Sequence, residues 1–308
     1  MKKETQKKII NEIIRIRTSQ LIINEKIKGD EFKIPMHLGL GHETIAVAVD
    51  TVMSKADYLF LTHRNMHYNL ARTDSLKKEI DEYYLKENGM ANARLGSMNL
   101  SNKNNGIPYS SSILGNNLSV ATGFALANEM LSDDGIIFVV TGDGAIEEGS
   151  FYESLLFQRS NNLRVIIIIE NNEWSLGSKI SERRCEIDLE KITDSLDIPF
   201  KKISGNNPFD YINQLNDIKI DVVKNNLPFC LEVEIKTLGY WHEVQPDYPE
   251  GKFINYHAGK APNTSISNNP IIENSENDPI FVLKNIIGEK LFFEYFNEHL
   301  SKLTEEIK

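Results

Sequence analysis

The sequence predicts an α/β fold, a parallel sheet flanked by helices on both faces. Gly135 to Thr141 (GIIFVVT) and Arg164 to Glu170 (RVIIIIE) are short, β-branched and apolar. Such runs suit strands covered on both faces, as in a parallel sheet. Between them, Gly149 to Asn161 has the length and pattern of a crossover helix, which completes a βαβ unit. With 308 residues, 41% of them hydrophobic, the chain can bury a substantial core as one large α/β domain or two small ones.

The remaining elements follow in chain order. Residues 3 to 28 place Ile9, Ile13, Ile16, Ile23 and Ile27 at near-helical spacing and end at Gly29, which fits an amphipathic helix. A second helix is expected over 42 to 53, where Glu43 precedes the apolar run Ile45 to Val49. Leu118 to Met130 reads as a helix whose small residues Ala121, Gly123 and Ala125 allow close packing. After the βαβ unit, Phe229 to Ile235 is a further strand. The polar stretch 262 to 277 is a loop or flexible linker, and Asp278-Pro279 opens a helical tail, with Pro in the first turn. The expected organisation is therefore one α/β domain over 1–261, a linker over 262–277 and a tail over 278–308, with no internal repeat.

Composition removes several function classes. The net charge is −10, with no basic block beyond the opening MKKETQKK, so nucleic acid is not an expected partner. Cys185 and Cys230 cannot form a disulfide framework and match no metal spacing. The first helix carries charges throughout, unlike a signal peptide, and no apolar stretch reaches the roughly 20 residues that span a bilayer. A soluble cytoplasmic chain without membrane contact is expected.

In an open parallel sheet, ligands bind beyond the carboxyl ends of the strands. Asp143 and Asn172, 29 positions apart, each follow one of the two apolar runs. Both offer hard oxygen ligands suited to Mg²⁺ or Ca²⁺. Gly142 and Gly144 lack a Cβ, so the backbone can approach a bulky anion. The amides near Gly144 and Ala145, beside a helix N-terminus, could bind phosphate oxygens. The same residues also suit a plain turn with a capping aspartate and an Asn-Asn loop, although a second polar residue at the next strand end favours one shared site.

GDG, about 30 residues and then NN resembles the thiamine diphosphate motif of the transketolase and 2-oxo acid dehydrogenase superfamily. The resemblance implies that Asp143, Asn172 and the main-chain carbonyl of Trp174 hold a divalent metal on the cofactor's diphosphate. The spacing favours Asn172 over Asn171, which is left to shape the loop. Met36 to Ala46 (MHLGLGHETIA) is similar to the His-Leu-x-x-Gly-Gln-Glu-Ala segment of dehydrogenase alpha subunits. Leu61 to Arg72 (LTHRNMHYNLAR) resembles their Tyr-Arg-x-His-Gly-x-x-Leu-Ala-Arg segment. Gly96 to Asn99 stands for their Gly-Ser-Met-His, and the tail from Asp278 also resembles theirs. Ser112 to Ala127, however, is equally close to a transketolase segment, and Tyr256 to Asn263 (YHAGKAPN) resembles the transketolase His-Gly-Lys-Ala-Pro stretch with one extra Ala.

Carried over residue by residue, His37 sits over the thiazolium, Arg64 binds the diphosphate and His63 reaches a phosphate. Gly106 and Pro108 face the aminopyrimidine with their backbone, and His257 reaches cofactor and substrate. Glu147 and Glu148 read as helix N-terminal carboxylates, and His67 as a structural residue. Lys236 to Trp241 lacks the histidines and serine of the alpha-subunit phosphorylation loop, so phosphoregulation there is not expected. In the superfamily a glutamate on a second, pyrimidine-binding domain activates the cofactor. About 135 residues follow Asn172, too few for that domain, so a beta subunit in an α₂β₂-type assembly is expected to supply it. The implied function is the alpha subunit of a thiamine-diphosphate enzyme that decarboxylates a 2-oxo acid of pyruvate, acetoin or branched-chain type. A lipoyl-domain acyltransferase is then a further implied partner for the acyl group. The alternatives are the N-terminal subunit of a split transketolase-like enzyme, moving a two-carbon unit from a ketose to an aldehyde or sugar, and a non-catalytic scaffolding subunit.

Overall fold

We describe residues 2–266 and 269–308 of a computed structural model. The first half runs α1 (Lys3–Lys28), α2 (Glu43–Val52), β1 (Tyr58–Thr62), α3 (Met66–Ala71), α4 (Leu76–Tyr83), β2 (Tyr109–Ser111) and α5 (Asn116–Leu131). The predicted βαβ unit follows as β3 (Ile137–Gly142), α6 (Gly149–Ser160) and β4 (Val165–Asn171). Beyond it come a short hairpin, β5 (Trp174–Ser175) and β6 (Ser178–Lys179), then α7 (Ile180–Arg183), α8 (Leu189–Asp194), β7 (Phe200–Ile203), α9 (Pro208–Asn225) and β8 (Phe229–Glu234). A second hairpin, β9 (Trp241–Gln245) and β10 (Tyr248–Ile254), precedes α10 (Pro279–Ile287) and α11 (Glu289–Glu306).

Six of the strands form one sheet in the order β2-β1-β3-β4-β8-β7, with every neighbour parallel. Its two faces are read directly from β3. Phe138 and Val140 enter the core shared with α1, α2 and α9, while Ile137 and Val139 enter the core beneath α5 and α6. β4 divides in the same way, Ile166 and Ile168 on one face and Ile167 and Ile169 on the other. Side chains that point to alternate faces and are buried on both explain the continuous apolar runs. Each such side chain contributes about 1.5–3 kcal/mol by leaving water. The fold class is the one the sequence predicts.

Several elements are not anticipated by the sequence reading, among them β1, β2, β7 and α9. The start of α9 is nonetheless written in the sequence. Asn207 accepts from the Phe209 amide, and Pro208 occupies the first turn.

Helix α1 buries more than isoleucines. Arg17, Gln20 and Asn24 share one face at helical spacing and are fully buried. Arg17 pairs with Glu43 at 2.6 Å and Asp278 at 3.0 Å. Gln20 accepts from the Gly39 amide at 2.6 Å and donates to Glu43 at 3.1 Å. Asn24 bonds the backbone of Ala261 and Thr264. One helix face therefore fixes the loop carrying His37, the start of the 262–277 stretch and the N-terminus of α10. Within that stretch, residues 267 and 268 lie outside the described set. Among the described residues, no helix is long and apolar enough to cross a membrane.

Candidate active site

Strands β3 and β4 end side by side, with Gly142 opposite Glu170. Asp143 and Asn172 therefore leave the sheet at adjacent points, and both line a cleft of about 70 Å³ with Thr62, His63, Arg64 and His257. Asp143 is 3% exposed. Burial holds its carboxyl above the usual range, opposed by the Arg183 guanidinium and by the backbone of Asp143 and Asn172. Arg183 Nη2 lies 3.1 Å from Asp143 Oδ2 and 3.0 Å from Glu147 Oε1, and Arg184 Nε also reaches Glu147 at 3.0 Å. Glu147 thus serves an arginine pair, rather than acting only as a carboxylate at a helix start.

The two asparagines point apart. Asn171 Nδ2 donates to Glu232 on β8 at 2.7 Å, and Asn171 Oδ1 accepts from the Glu173 amide. Asn172 faces the cleft, with its Nδ2 2.7 Å from Thr237 Oγ1 and its Oδ1 3.0 Å from the Trp174 amide. A Cβ at Gly144 would lie 2.8 Å from Ser175 Oγ, so the turn admits no larger residue there without moving the β5 segment. A Cβ at Gly142 would meet only the Glu170 carbonyl oxygen, at 3.9 Å. Ala145 is buried in the turn that follows.

Arg64 supplies the other half of the site. It is 7% exposed, donates to the Leu38 carbonyl at 2.6 Å and the His257 carbonyl at 3.1 Å, and stacks over Tyr256 at 5.9 Å. Among the described residues no carboxylate forms an ion pair with it. The Glu170 charge acts on it only through space and does not offset its burial. A buried guanidinium without a contacting carboxylate is costly, and an anion in the cleft would complete it. Three imidazoles stand beside it. The His37 ring lies 4.9 Å from His63 and 5.1 Å from His257. Burial first, and Arg64 second, lower their pKa values to about 2 for His37, about 3 for His63 and about 4 for His257. All three are neutral at pH 7. Buried His37 Nδ1 has no partner of its own. Three neutral imidazoles could in principle hold a cation, but Arg64 repels one there, and an anionic ligand fits the charge better.

Of the residues singled out from the sequence, His37, His63, Arg64, His257, Gly142, Asp143, Gly144, Ala145, Asn172 and Trp174 gather around this cleft. Gly106 and Pro108 do not. β2 runs parallel to β1, toward the cleft, so residues preceding it start from the opposite edge of the sheet. There the Gly106 carbonyl accepts from Leu59 at 2.8 Å, and its αL backbone lies against Asp57 and Arg72. The assignment of Gly106 and Pro108 to an aminopyrimidine is corrected accordingly. Leu114, beyond the other end of β2, lines the cleft instead.

Sequence reasoning also missed Glu170, His42, Thr237 and Arg183. Glu170 is the penultimate residue of β4 and is 7% exposed. It takes His42 Nδ1 at 3.1 Å, the Tyr68 hydroxyl at 2.9 Å and His67 at 3.5 Å. Burial alone would raise its carboxyl, but His42 and His67 outweigh it and hold the group well below the usual range. The signal was a charged residue closing an otherwise apolar run, which demands a buried partner.

The chain is similar in sequence to several known proteins. A pyruvate dehydrogenase E1 component subunit alpha from Rickettsia felis is 28% identical over 273 residues, 88% of this chain and 78% of that one. Its Rickettsia bellii counterpart is 30% identical over 199 residues, 64% of this chain and 61% of that one. The mitochondrial subunit from Saccharomyces cerevisiae is 26% identical, with 66% of this chain and 47% of that one covered. A solved structure from Mycobacterium smegmatis, whose description proposes a thiamin diphosphate-dependent enzyme, shares 12% identity at a TM-score of 0.42, covering 66% of this chain and 33% of that one. That likeness is too slight to weigh here. The profile of the dehydrogenase E1 component family matches residues 16–234, a span that contains His37, Arg64, Asp143 and Asn172, and the chain belongs to that family.

Proposed function

We propose that this chain is the alpha subunit of a thiamine-diphosphate- and Mg²⁺-dependent enzyme that decarboxylates a 2-oxo acid and passes on the acyl group. The observation that carries the reading is a buried carboxylate, Asp143, beside Asn172 at two adjacent strand ends, lining one cleft with a buried guanidinium, Arg64, that no carboxylate contacts. A metal diphosphate satisfies both halves at once.

In this reading Asp143, Asn172 and the Trp174 carbonyl hold Mg²⁺, with Ca²⁺ an acceptable substitute. Arg64 and His63 bind diphosphate oxygens, and the backbone from Gly142 to Ala145 lies against them. Bound thiamine diphosphate supplies the electron sink for decarboxylation. His37 and His257, kept neutral by burial and Arg64, hold an N–H toward the substrate's oxygens without adding a second cation. Residues 1–261 form the diphosphate-binding domain. A beta subunit provides the pyrimidine-binding domain and its activating glutamate, and a lipoyl-domain acyltransferase receives the acyl group.

One observation favours a second reading, a split transketolase-like subunit acting on a ketose. His257 belongs to the transketolase-like stretch, and despite the extra Ala258 its ring stands 5.1 Å from His37. The test is co-expression with the chain encoded next door. The complex is assayed for artificial-acceptor reduction with a panel of 2-oxo acids and for aldose formation from ketose donors. Turnover of a 2-oxo acid is expected. Activity with ketoses alone would replace the first reading by the second, and a complex that neither binds thiamine diphosphate nor turns over would leave a scaffolding subunit.

A further inference from the structure

Asn172 serves as a metal ligand only if its amide oxygen, and not its NH₂, faces the ion. The two ends of an amide are nearly the same shape, so the surroundings must choose between them. Here the choice can be followed bond by bond. The Trp174 backbone N–H can only donate, and it lies 3.0 Å from Asn172 Oδ1. The other end, the NH₂, is therefore the one that meets Thr237 Oγ1 at 2.7 Å. Having accepted that hydrogen, the Thr237 hydroxyl has one proton to give, and His42 Nε2 stands 2.9 Å away. At the far end, Glu170 Oε2 lies 3.1 Å from His42 Nδ1 and takes a proton from it; with that single ring proton on Nδ1, Nε2 is the bare nitrogen that receives the Thr237 proton. Glu170 as a carboxylate can only accept, and its second oxygen takes the Tyr68 hydroxyl at 2.9 Å. His42, Thr237 and Glu170 are all buried, so water offers no ready substitute. The Trp174 N–H fixes the direction at the Asn172 end, where Thr237 Oγ1 accepts from the amide NH₂, and the His42 tautomer that donates to Glu170 continues the same direction. Asn172 Oδ1, at its end, keeps a second lone pair for an ion.

We infer that Thr237 and His42, anchored on Glu170, are positioning residues that fix the Asn172 amide with its oxygen toward the divalent ion. This rests on the reading of Asp143 and Asn172 as metal ligands. Thr237 and His42 touch neither metal nor substrate, and they act through the orientation of one amide. Outer partners of a metal ligand are typically worth about 10–100-fold in metal affinity, and that is the size of effect expected.

Mn²⁺ is the probe, titrated into the purified complex of this chain with its partner subunit in the presence of thiamine diphosphate, with the free ion counted by its paramagnetic resonance signal. Thr237→Val, which keeps the shape and removes the acceptor, weakens Mn²⁺ about 10–100-fold. Thr237→Ser, which keeps the hydroxyl, restores it. His42→Leu weakens binding in the same way. His42→Gln, whose amide has an acceptor at one end and a donor at the other, restores it. The unfolding midpoint without metal is measured for each, and rescue by Ser and Gln separates amide orientation from general damage. If Thr237→Val does not fold, the two His42 variants decide alone. Wild-type Mn²⁺ affinity in Thr237→Val or His42→Leu overturns the inference, as does equal loss in Ser and Val. Asp143→Ala keeps the two readings apart. If it binds Mn²⁺ as the wild type does, or if the wild type binds none, the metal site itself fails. If it loses Mn²⁺ while Thr237→Val does not, only the positioning role fails.

Discussion

Arg17→Met removes the cation that joins three parts of the molecule. The guanidinium contacts Glu43 at 2.6 and 3.1 Å, Asp278 at 3.0 Å and the Pro270 carbonyl at 2.9 Å. Both salt bridges are wholly shielded, 0% exposed on either side. Breaking such a pair by removing one partner typically costs about 3–5 kcal/mol, because the remaining charge is left buried. Two carboxylates are stranded here, but neither is bare. Glu43 still accepts from the Gly41 amide at 2.9 Å and from Gln20 at 3.1 Å. Asp278 keeps the amides of Ile272, Glu273 and Ile280 at 2.7, 3.1 and 2.9 Å. These donors place the loss at the lower end, about 3 kcal/mol. At roughly 2 °C per kcal/mol for a large chain, the unfolding midpoint falls by about 6 °C. Urea denaturation of Arg17→Met, Glu43→Gln and the double variant gives the loss and the coupling between the partners. A loss below about 1 kcal/mol, or additive single losses, would refute the reasoning, since the pairs would then contribute no more than exposed ones.

Three other outcomes follow from the cleft. Arg64→Met removes charge-assisted bonds to an anion, each worth about 1.5–3 kcal/mol, so thiamine diphosphate and inorganic pyrophosphate should both bind roughly 10–100-fold more weakly by calorimetry. Unchanged pyrophosphate affinity would refute the anion clamp. Arg183→Gln frees Asp143 of a competing cation, and a partly buried pair worth about 1 kcal/mol implies roughly fivefold tighter Mn²⁺ binding. Weaker binding would show that Arg183 supports the ion site. The folded pKa values of His37, His63 and His257 lie at about 2, 3 and 4, against 6.5 for an ordinary imidazole. Between 6.5 and about 4 the unfolded chain binds more protons, so stability must fall as pH falls through that window. The thermal midpoint should track this, and His37→Gln should flatten it. A midpoint that rises on acidification would contradict the burial of neutral imidazoles.

What the sequence made legible was governed by local signals. β3, α6 and β4 announce themselves, because strands buried on both faces must be apolar throughout. α1 shows its isoleucine stripe and its stop at Gly29. Asp143 and Asn172 stand out as a pair, because two hard oxygen ligands follow two consecutive buried strands, where parallel sheets bind their ligands. β1 and β7, at four or five residues, carry too little periodicity to be separated from loops. Thr237 and His42 could not have been found at all. Their role depends on a hydrogen-bond row that joins residues 42, 170, 172 and 237, and only the fold brings these together. The misplacement of Gly106 and Pro108 has a related cause. A three-residue strand gives no sequence clue to its direction, so the end of β2 nearer the cleft was not evident.

The central claim, that Asp143 and Asn172 hold a divalent ion on the diphosphate of a bound cofactor, is tested most directly by calorimetric titration of thiamine diphosphate. The protein, with its partner subunit, is titrated in millimolar Mg²⁺ and again in excess EDTA, alongside the Asp143→Ala variant. Binding that appears with Mg²⁺ and vanishes both in EDTA and in Asp143→Ala is the predicted result. Equal binding under all three conditions would contradict the account.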